Sequence, residues 1–381
     1  MMHSPLRHLG AIAWKRRPIQ LTFFVTRRCN AHCPFCFYLQ GTAPAPGSGA
    51  ELDLDEIERL ARPLGSLLWL AFSGGEVFLR QDLVEISRLA YRYNRPAVML
   101  FSTNGMLPEL IRERVERIVA ECSRSVVAVK LSLDGVGAAH DALRATPGSF
   151  DRVMQTHRLL APLLERHANF ELGINTVFSA HNQDRMDEIM DFVAALPVPC
   201  SHTISLVRGE LRQQDYLQLD VGKYARAAAR LARRLRERDA PLYRFRGARL
   251  KAAQDVLQRR LIHQTWSAHR RLVPCYAGRL NLVLGETGEV FPCEMLSGSL
   301  GNVRDYGYDL RRLLRAAPAA AAQRAIASGA CHCTHECNFI TNILFNPRLY
   351  PALAGEYLRI GGTGRRQPIA RTGSSGRAPQ P

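Results

Sequence analysis

Residues 20–36 read QLTFFVTRRCNAHCPFC, an apolar run that passes directly into a loop carrying three thiols. The first part, QLTFFVT, is short and rich in aromatic and β-branched residues, which predicts a strand. Cys29, Cys33 and Cys36 follow it at Cys-x3-Cys-x2-Cys spacing. Similar apolar runs recur at 67–72, 97–102, 126–133, 170–178 and 202–207, and amphipathic stretches at 53–64, 82–93, 109–122, 149–160 and 184–196 read as helices between them. Asp53 is the expected N-cap of the first helix. Six strand–helix alternations predict an α/β protein with a parallel sheet, because each return to a parallel strand needs a crossover of about a dozen residues or more. Pattern alone leaves a partial barrel and a doubly wound open sheet both possible.

Beyond residue 207 the texture changes. A basic helical arm is expected over 211–271, then a small cysteine-rich α+β unit over 272–350 whose runs 280–284 and 289–292 flank a turn at Gly285-Glu286-Thr287-Gly288. Residues 1–19 form an N-terminal extension, 20–210 the core, and 351–381 a C-terminal segment. From about residue 361 that segment is Gly, Pro, Ser and Arg rich, which predicts disorder.

The chain has 381 residues, 46% of them hydrophobic and 22% charged, which excludes a fibre and wholesale disorder. No run approaches the roughly 18 apolar residues of a membrane span. There is also no apolar signal core with a cleavage site, so a soluble protein of the reducing cytoplasm is expected. In that setting ten cysteines are thiols or metal ligands. The formal net charge is +17, and residues 223–271 hold 15 Lys and Arg against Glu237, Asp239 and Asp255, a local +12. Such a stretch is either a docking surface for something anionic or a solvated helix face.

Three thiolates on one short loop can hold three corners of an iron–sulfur cubane and leave one iron free. A structural zinc ion would need a fourth ligand, and His32 is badly placed between two of the three. At these residues the sequence resembles the radical S-adenosylmethionine (SAM) superfamily, whose cysteine motif has this spacing after the first barrel strand, with an aromatic, here Phe35, before the third cysteine. The resemblance implies a partial (β/α)6 TIM-type barrel, a [4Fe-4S] cluster on Cys29, Cys33 and Cys36, and SAM bound to its free iron. It implies that Gly74, Gly75 and Glu76 in Ser73-Gly74-Gly75-Glu76 cradle the SAM amino group. Ser102 and Asn104, in Ser102-Thr103-Asn104-Gly105, match a further family loop, as do His140-Asp141, Arg144 and Pro147-Gly148-Ser149-Phe150. Ser132 and Asp134 are candidates for the ribose hydroxyls. Asn175 lies in the fifth strand, and Arg208 either holds the SAM carboxylate or forms an interdomain salt bridge.

Cys275, Cys293, Cys331, Cys333 and Cys337 make a second set. It resembles the auxiliary-cluster modules called SPASM and twitch, with five cysteines where a full SPASM module has about seven. One auxiliary [4Fe-4S] cluster is implied, on Cys275, Cys293 and Cys337 with a fourth ligand from Cys331 or Cys333, and a zinc site is the alternative. His332 and His335 are expected to be exposed, and Cys122 and Cys200 to be buried, inert thiols.

The implied activity is reductive cleavage of SAM to a 5′-deoxyadenosyl radical that abstracts a substrate hydrogen, fed by a flavodoxin or ferredoxin type reductant. A peptide is the first expected substrate, with maturase-type modification. About nineteen residues before the first strand are too few for a peptide-recognition domain, so a separate recognition protein is expected. A small anionic metabolite such as a sugar or nucleotide is the alternative. A non-catalytic metal-binding module that holds nucleic acid is the reading of another class. Against it, Tyr224, Tyr243, Phe245 and Trp266 are too scattered to stack successive bases.

Overall fold

Gln20–Phe24 forms β1, and all five of its residues are buried, as expected of a strand covered on both faces. The computed structural model describes residues 2–39, 49–329 and 331–361. Five more strands follow, β2 (Trp69–Ser73), β3 (Val98–Thr103), β4 (Val126–Ser132), β5 (Phe170–Phe178) and β6 (Ser201–Leu206). They lie in the order β6-β5-β4-β3-β2-β1, and every neighbouring pair is parallel. Consecutive order has no topological switch point, which rules out the doubly wound sheet. The sheet is open between β6 and its far edge, so this is a partial barrel.

Helices α1 (Leu54–Leu64), α2 (Leu83–Asn94), α3 (Pro108–Glu121), α4 (Ala138–Arg144), α5 (Ser149–Leu160), α6 (Leu163–Arg166) and α7 (Met186–Ala194) fill the crossovers. Their apolar stripes bury one face of the sheet, with Phe72, Phe101, Val129 and Leu131 in a single core with Ile86, Ile111 and Val153. The opposite face of the strands lines the barrel, where Ser132, Asn175 and Thr203 share one register row. α1 begins as predicted. Asp53 accepts from the Glu56 backbone N–H at 2.8 Å, and the Glu56 carboxylate accepts from the Asp53 N–H at 3.1 Å. Asp53→Ala is expected to cost about 1 kcal/mol, read as a lower denaturant midpoint at unchanged slope.

The cysteine-rich unit is continuous with the barrel. β7 (Asn281–Leu284) pairs in parallel with β1, and β8 (Glu289–Phe291) and β9 (Gly301–Asn302) extend the sheet antiparallel to nine strands.

The basic region forms α8 (Val221–Arg236) and α9 (Ala248–Ala268), and it is not a free docking stripe. α9 buries Ala252–Arg259 without interruption, a helix enclosed on every side. Lys251 pairs with Asp255, Lys223 with Asp184 at 2.5 Å, Arg230 with Asp187 and Asp191 on α7, and Arg234 with Asp239. Helices α10 (Leu310–Arg315), α11 (Ala317–Ala327), α12 (Glu336–Leu344) and α13 (Tyr350–Arg359) complete the chain. On α13, Glu356 takes Arg236 at 2.7 Å and Arg260 at 2.9 Å. Six of the fifteen basic residues of 223–271, Lys223, Arg230, Arg234, Arg236, Lys251 and Arg260, are thus ion-paired to acids of the same chain. Among the described residues no helix is long and apolar enough to cross a membrane. The tail expected to be disordered lies, from residue 362 on, outside the described residues.

Candidate functional site

At the C-terminal end of β1 the chain leaves the sheet at Thr26 and turns through Cys29, Cys33 and Cys36, all half-buried free thiols. A turn from Cys33 C=O to Cys36 N–H at 3.1 Å shapes the loop. Four N–H groups point at the three sulfurs. The Ala31 backbone reaches Cys29 Sγ and the Leu39 backbone reaches Cys36 Sγ, each at 3.4 Å. Asn104 Nδ2 lies 3.9 Å from Cys29 Sγ, and Arg144 Nη1 3.8 Å from Cys33 Sγ. Burial raises the Cys29 thiol to about 11 and raises Cys33 as well, while Arg144 pulls Cys33 down. A metal that binds Cys29 or Cys33 therefore displaces a proton.

The Ser73-Gly74-Gly75-Glu76 segment leaves β2 and packs on the cysteine loop. Gly75 N–H donates to Thr26 C=O and Glu76 N–H to Arg28 C=O, both at 2.8 Å. A Cβ at Gly74 would sit 2.5 Å from Thr26 O, and one at Gly75 would sit 2.2 Å from Arg28 O. The two glycines are thus required by the approach of two backbones, before any ligand is considered. Gly75→Ala is expected to push the loops apart at a cost of about 1–3 kcal/mol, seen as a lower melting temperature together with poorer iron retention.

Glu76 is fully buried. Its carboxylate accepts from Thr103 Oγ1 at 2.7 Å, from the Asn104 backbone at 2.8 Å and from the Phe78 backbone at 3.1 Å. Burial raises its pKa, opposed by those three hydrogen bonds. Asn104 also holds Asn30 Oδ1 at 2.8 Å, so the loop after β3 grips the cysteine loop from its other side.

The remaining predicted residues are distributed as follows. Phe35 is buried against Tyr216, with ring centroids 5.4 Å apart. Ser102 is exposed and Ser132 half-buried. Asp134 is 1% exposed, pairs with Arg144 at 2.8 Å, and accepts from the Val177 backbone at 2.7 Å. Asn175 accepts from Thr203 and Ser205 hydroxyls at 3.0 and 3.1 Å. Arg208 forms an interdomain salt bridge, to Glu294 at 2.9 Å and Glu336 at 3.3 Å. Arg144 matched a family loop without an assigned role. Its contact with Cys33 is invisible in the sequence because 111 residues separate the two.

In the second set, β7 and β8 bring Cys275 and Cys293 together. Burial raises Cys293 to about 12, assisted by the neighbouring thiols of Cys333 and Cys275. Burial likewise raises Cys333, with Cys275 and Cys331 adding to it. Arg271 donates to Cys331 Sγ at 3.2 Å and to its carbonyl at 2.8 Å. Cys337 instead keeps company with Glu294 and His335. His335 is not exposed as expected; it is the N-cap residue of α12 and 2% exposed, whereas His332 is exposed. Cys122 and Cys200 are buried in the core.

The thiol loop fits a cubane that lacks a fourth protein ligand. It offers three sulfurs and four N–H donors, and its one histidine, His32, is exposed. Comparison with known proteins agrees. Residues 23–193 match the profile of the radical SAM superfamily. The AdoMet-dependent heme synthase of Methanosarcina barkeri (strain Fusaro / DSM 804) is 28% identical over 304 residues, covering 77% of this chain and 82% of that protein. The PqqA peptide cyclase of Rhodopseudomonas palustris (strain ATCC BAA-98 / CGA009) is 28% identical over 182 residues, 47% of this chain and 44% of that protein. Streptococcus suis SuiB bound to precursor peptide SuiA shares the fold, with a TM-score of 0.58 at 15% identity over 84% of this chain and 70% of that one. The chain is an enzyme that carries a radical SAM domain at residues 23–193, with a cysteine-rich region behind it.

Proposed function

We propose that the enzyme binds a [4Fe-4S] cluster through Cys29, Cys33 and Cys36 and acts by hydrogen abstraction on a small anionic substrate of the tetrapyrrole class. When bound, the cluster and SAM supply a 5′-deoxyadenosyl radical after one-electron cleavage of the sulfonium. The chain's residues do the rest. Glu76 is held rigid by its three donors and presents a carboxylate to an ammonium group. Asn104 and Arg144 place positive dipole and charge beside the sulfurs, and Phe35 with Tyr216 walls the site from water. The auxiliary cluster is assigned to Cys275, Cys293, Cys331 and Cys333, whose thiols act on one another, with Arg271 beside them.

The observation that carries the tetrapyrrole reading is coverage. Similarity to the heme synthase runs through 77% of the chain, and so past the radical SAM domain into the cysteine-rich region that extends the sheet. Similarity to the peptide cyclase spans 47%. A peptide substrate, the first expectation from sequence, is the second reading, favoured by that cyclase. Anaerobic assays with dithionite separate the two. Iron coproporphyrin III is expected to shift its Soret band on binding, to stimulate 5′-deoxyadenosine release several-fold and to change mass. Porphyrin that neither binds nor stimulates would overturn the proposal.

A further inference from the structure

The inner face of the barrel strands carries a lysine that belongs to neither cysteine set. Side chains alternate along a strand, so Lys130 of β4 faces the interior with Ser132, about 7 Å further from the C-terminal end where the cysteine loop sits. The register sets Lys130 opposite Gly173 of β5, and Gly173 opposite Ser201 of β6. Lys130 Nζ crosses β5 at that glycine and donates to Ser201 Oγ at 2.7 Å. A Cβ on Gly173 would sit 2.5 Å from Ser201 Oγ and would also collide with Nζ. The missing side chain is therefore what lets the ammonium lie across the strand.

Space opens above this row and closes below it. Lys130, Ser132, Asn175, Ser201 and Thr203 are half-buried and Ser102 is exposed, whereas Ala128 and Glu171, one row deeper, are buried. Tyr243 and Phe245 plug the deep end. The Tyr243 ring centre lies 5.8 Å from Lys130 Nζ, and Phe245 packs on Val98, Val126 and Ala128. Lys130 thus stands on the floor of the accessible interior.

Its charge lacks a partner there. An ammonium offers three N–H donors, and among the described residues Lys130 makes the one hydrogen bond to Ser201 and no ion pair. The acids nearby are committed elsewhere. Asp255 pairs with Lys251 and accepts from the Tyr243 hydroxyl at 2.7 Å. Glu171 accepts from the Arg244 backbone, and burial raises it to about 7. Burial in turn pushes Lys130 down to about 8. A carboxylate set against Nζ supplies the absent counter-charge and takes up the N–H groups that Ser201 leaves over. A phosphate, with a charge of about −2, fits less well, because the neighbouring ammonium of Lys251 is already paired.

We infer that Lys130, seated on Gly173 and backed by Ser201, forms a carboxylate-binding subsite on the barrel floor that anchors one acidic side chain of the substrate beneath the SAM site. The inference rests on the tetrapyrrole reading, whose iron coproporphyrin III probe carries its carboxylates at the rim of a flat macrocycle. It makes Lys130 a residue that selects for an acid group at that depth.

The test uses the full chain, reconstituted anaerobically with iron and sulfide and titrated with iron coproporphyrin III without reductant, with the Soret shift as the reading. Lys130→Met keeps the length of the side chain and removes its charge. It is expected to weaken porphyrin binding about tenfold or more, with iron content and SAM affinity unchanged. Gly173→Ala keeps the charge but drives the ammonium off Ser201, and is expected to weaken binding by a smaller factor. The tetramethyl ester of the same porphyrin, which has no carboxylate, should bind wild type and Lys130→Met alike. Equal affinity of wild type and Lys130→Met for the free acid would overturn the subsite. So would an equal loss for acid and ester, which would make Lys130 a packing residue, and so would a loss of SAM affinity, which would place it in the SAM site. Those three results leave the tetrapyrrole reading standing, whereas a wild type that binds no porphyrin overturns that reading and the subsite with it.

Discussion

Replacing Cys29, Cys33 and Cys36 together by Ala is expected to remove about four irons and to bring 5′-deoxyadenosine release under dithionite down to background. Among the described residues the loop offers no substitute ligand, since His32 is exposed and Glu76 is committed to three donors. The fold should survive the change. The loop is tied down by backbone bonds from Gly75 and Glu76 to Thr26 and Arg28, which involve no sulfur, and by Phe35, whose apolar cluster keeps Leu143, Val207, Leu211 and Tyr216 when the Cys33 side chain packed against it is shortened. Circular dichroism and the iron remaining on the auxiliary site are therefore expected to match the wild type in its C-terminal half. That combination separates loss of the site from loss of the protein. Release of 5′-deoxyadenosine at an undiminished rate in the triple variant would refute the assignment.

How much was legible in the sequence depended on the range of the interaction. The strand–helix alternation, the Asp53 cap and the thiol loop are local, and their periods and spacings survive in the linear chain. The order of the strands did not follow from the helical crossovers, which suit a partial barrel and a doubly wound sheet alike, and only the family resemblance pointed to the consecutive order. Long-range charge pairing was not legible. Arg230 looks the same whether it faces an anionic ligand or Asp187 and Asp191, because those acids lie about forty residues upstream. Glu356, which takes Arg236 and Arg260, is about a hundred residues downstream. His335 was misjudged for a similar reason. Its neighbours in sequence are polar, and its burial comes from Glu294 on a different segment. Gly74 and Gly75 drew attention as a ligand cradle, while their tightest constraint is the carbonyls of Thr26 and Arg28.

The second large effect is expected at Arg144. Arg144→Met leaves Asp134 buried with only the Val177 N–H for company, and removal of one member of such a pair typically costs about 3–5 kcal/mol. Asp134→Asn in the same chain removes the stranded charge, so the double variant should recover part of that loss. Stability alone would make this a structural pair. What sets Arg144 apart is its second contact, Nη1 at 3.8 Å from Cys33 Sγ. A cation and N–H donor beside a ligand sulfur favour the more negative, reduced state of a cluster, because net charge and hydrogen bonds to sulfur set its potential. The double variant removes one charge of each sign, so its net charge is unchanged, and loss of the N–H beside Cys33 Sγ should leave the SAM-site cluster at a modestly more negative potential in an EPR-monitored redox titration. Arg144→Lys should fall between, since an ammonium keeps the charge but cannot reach Asp134 and Cys33 with separate nitrogens of one planar group. Equal potentials in the wild type and the double variant would reduce Arg144 to a packing and charge-pairing role for Asp134. A shift confined to the SAM-site cluster, with the auxiliary cluster unmoved, would establish it as a residue that tunes the ease with which the enzyme takes up its electron.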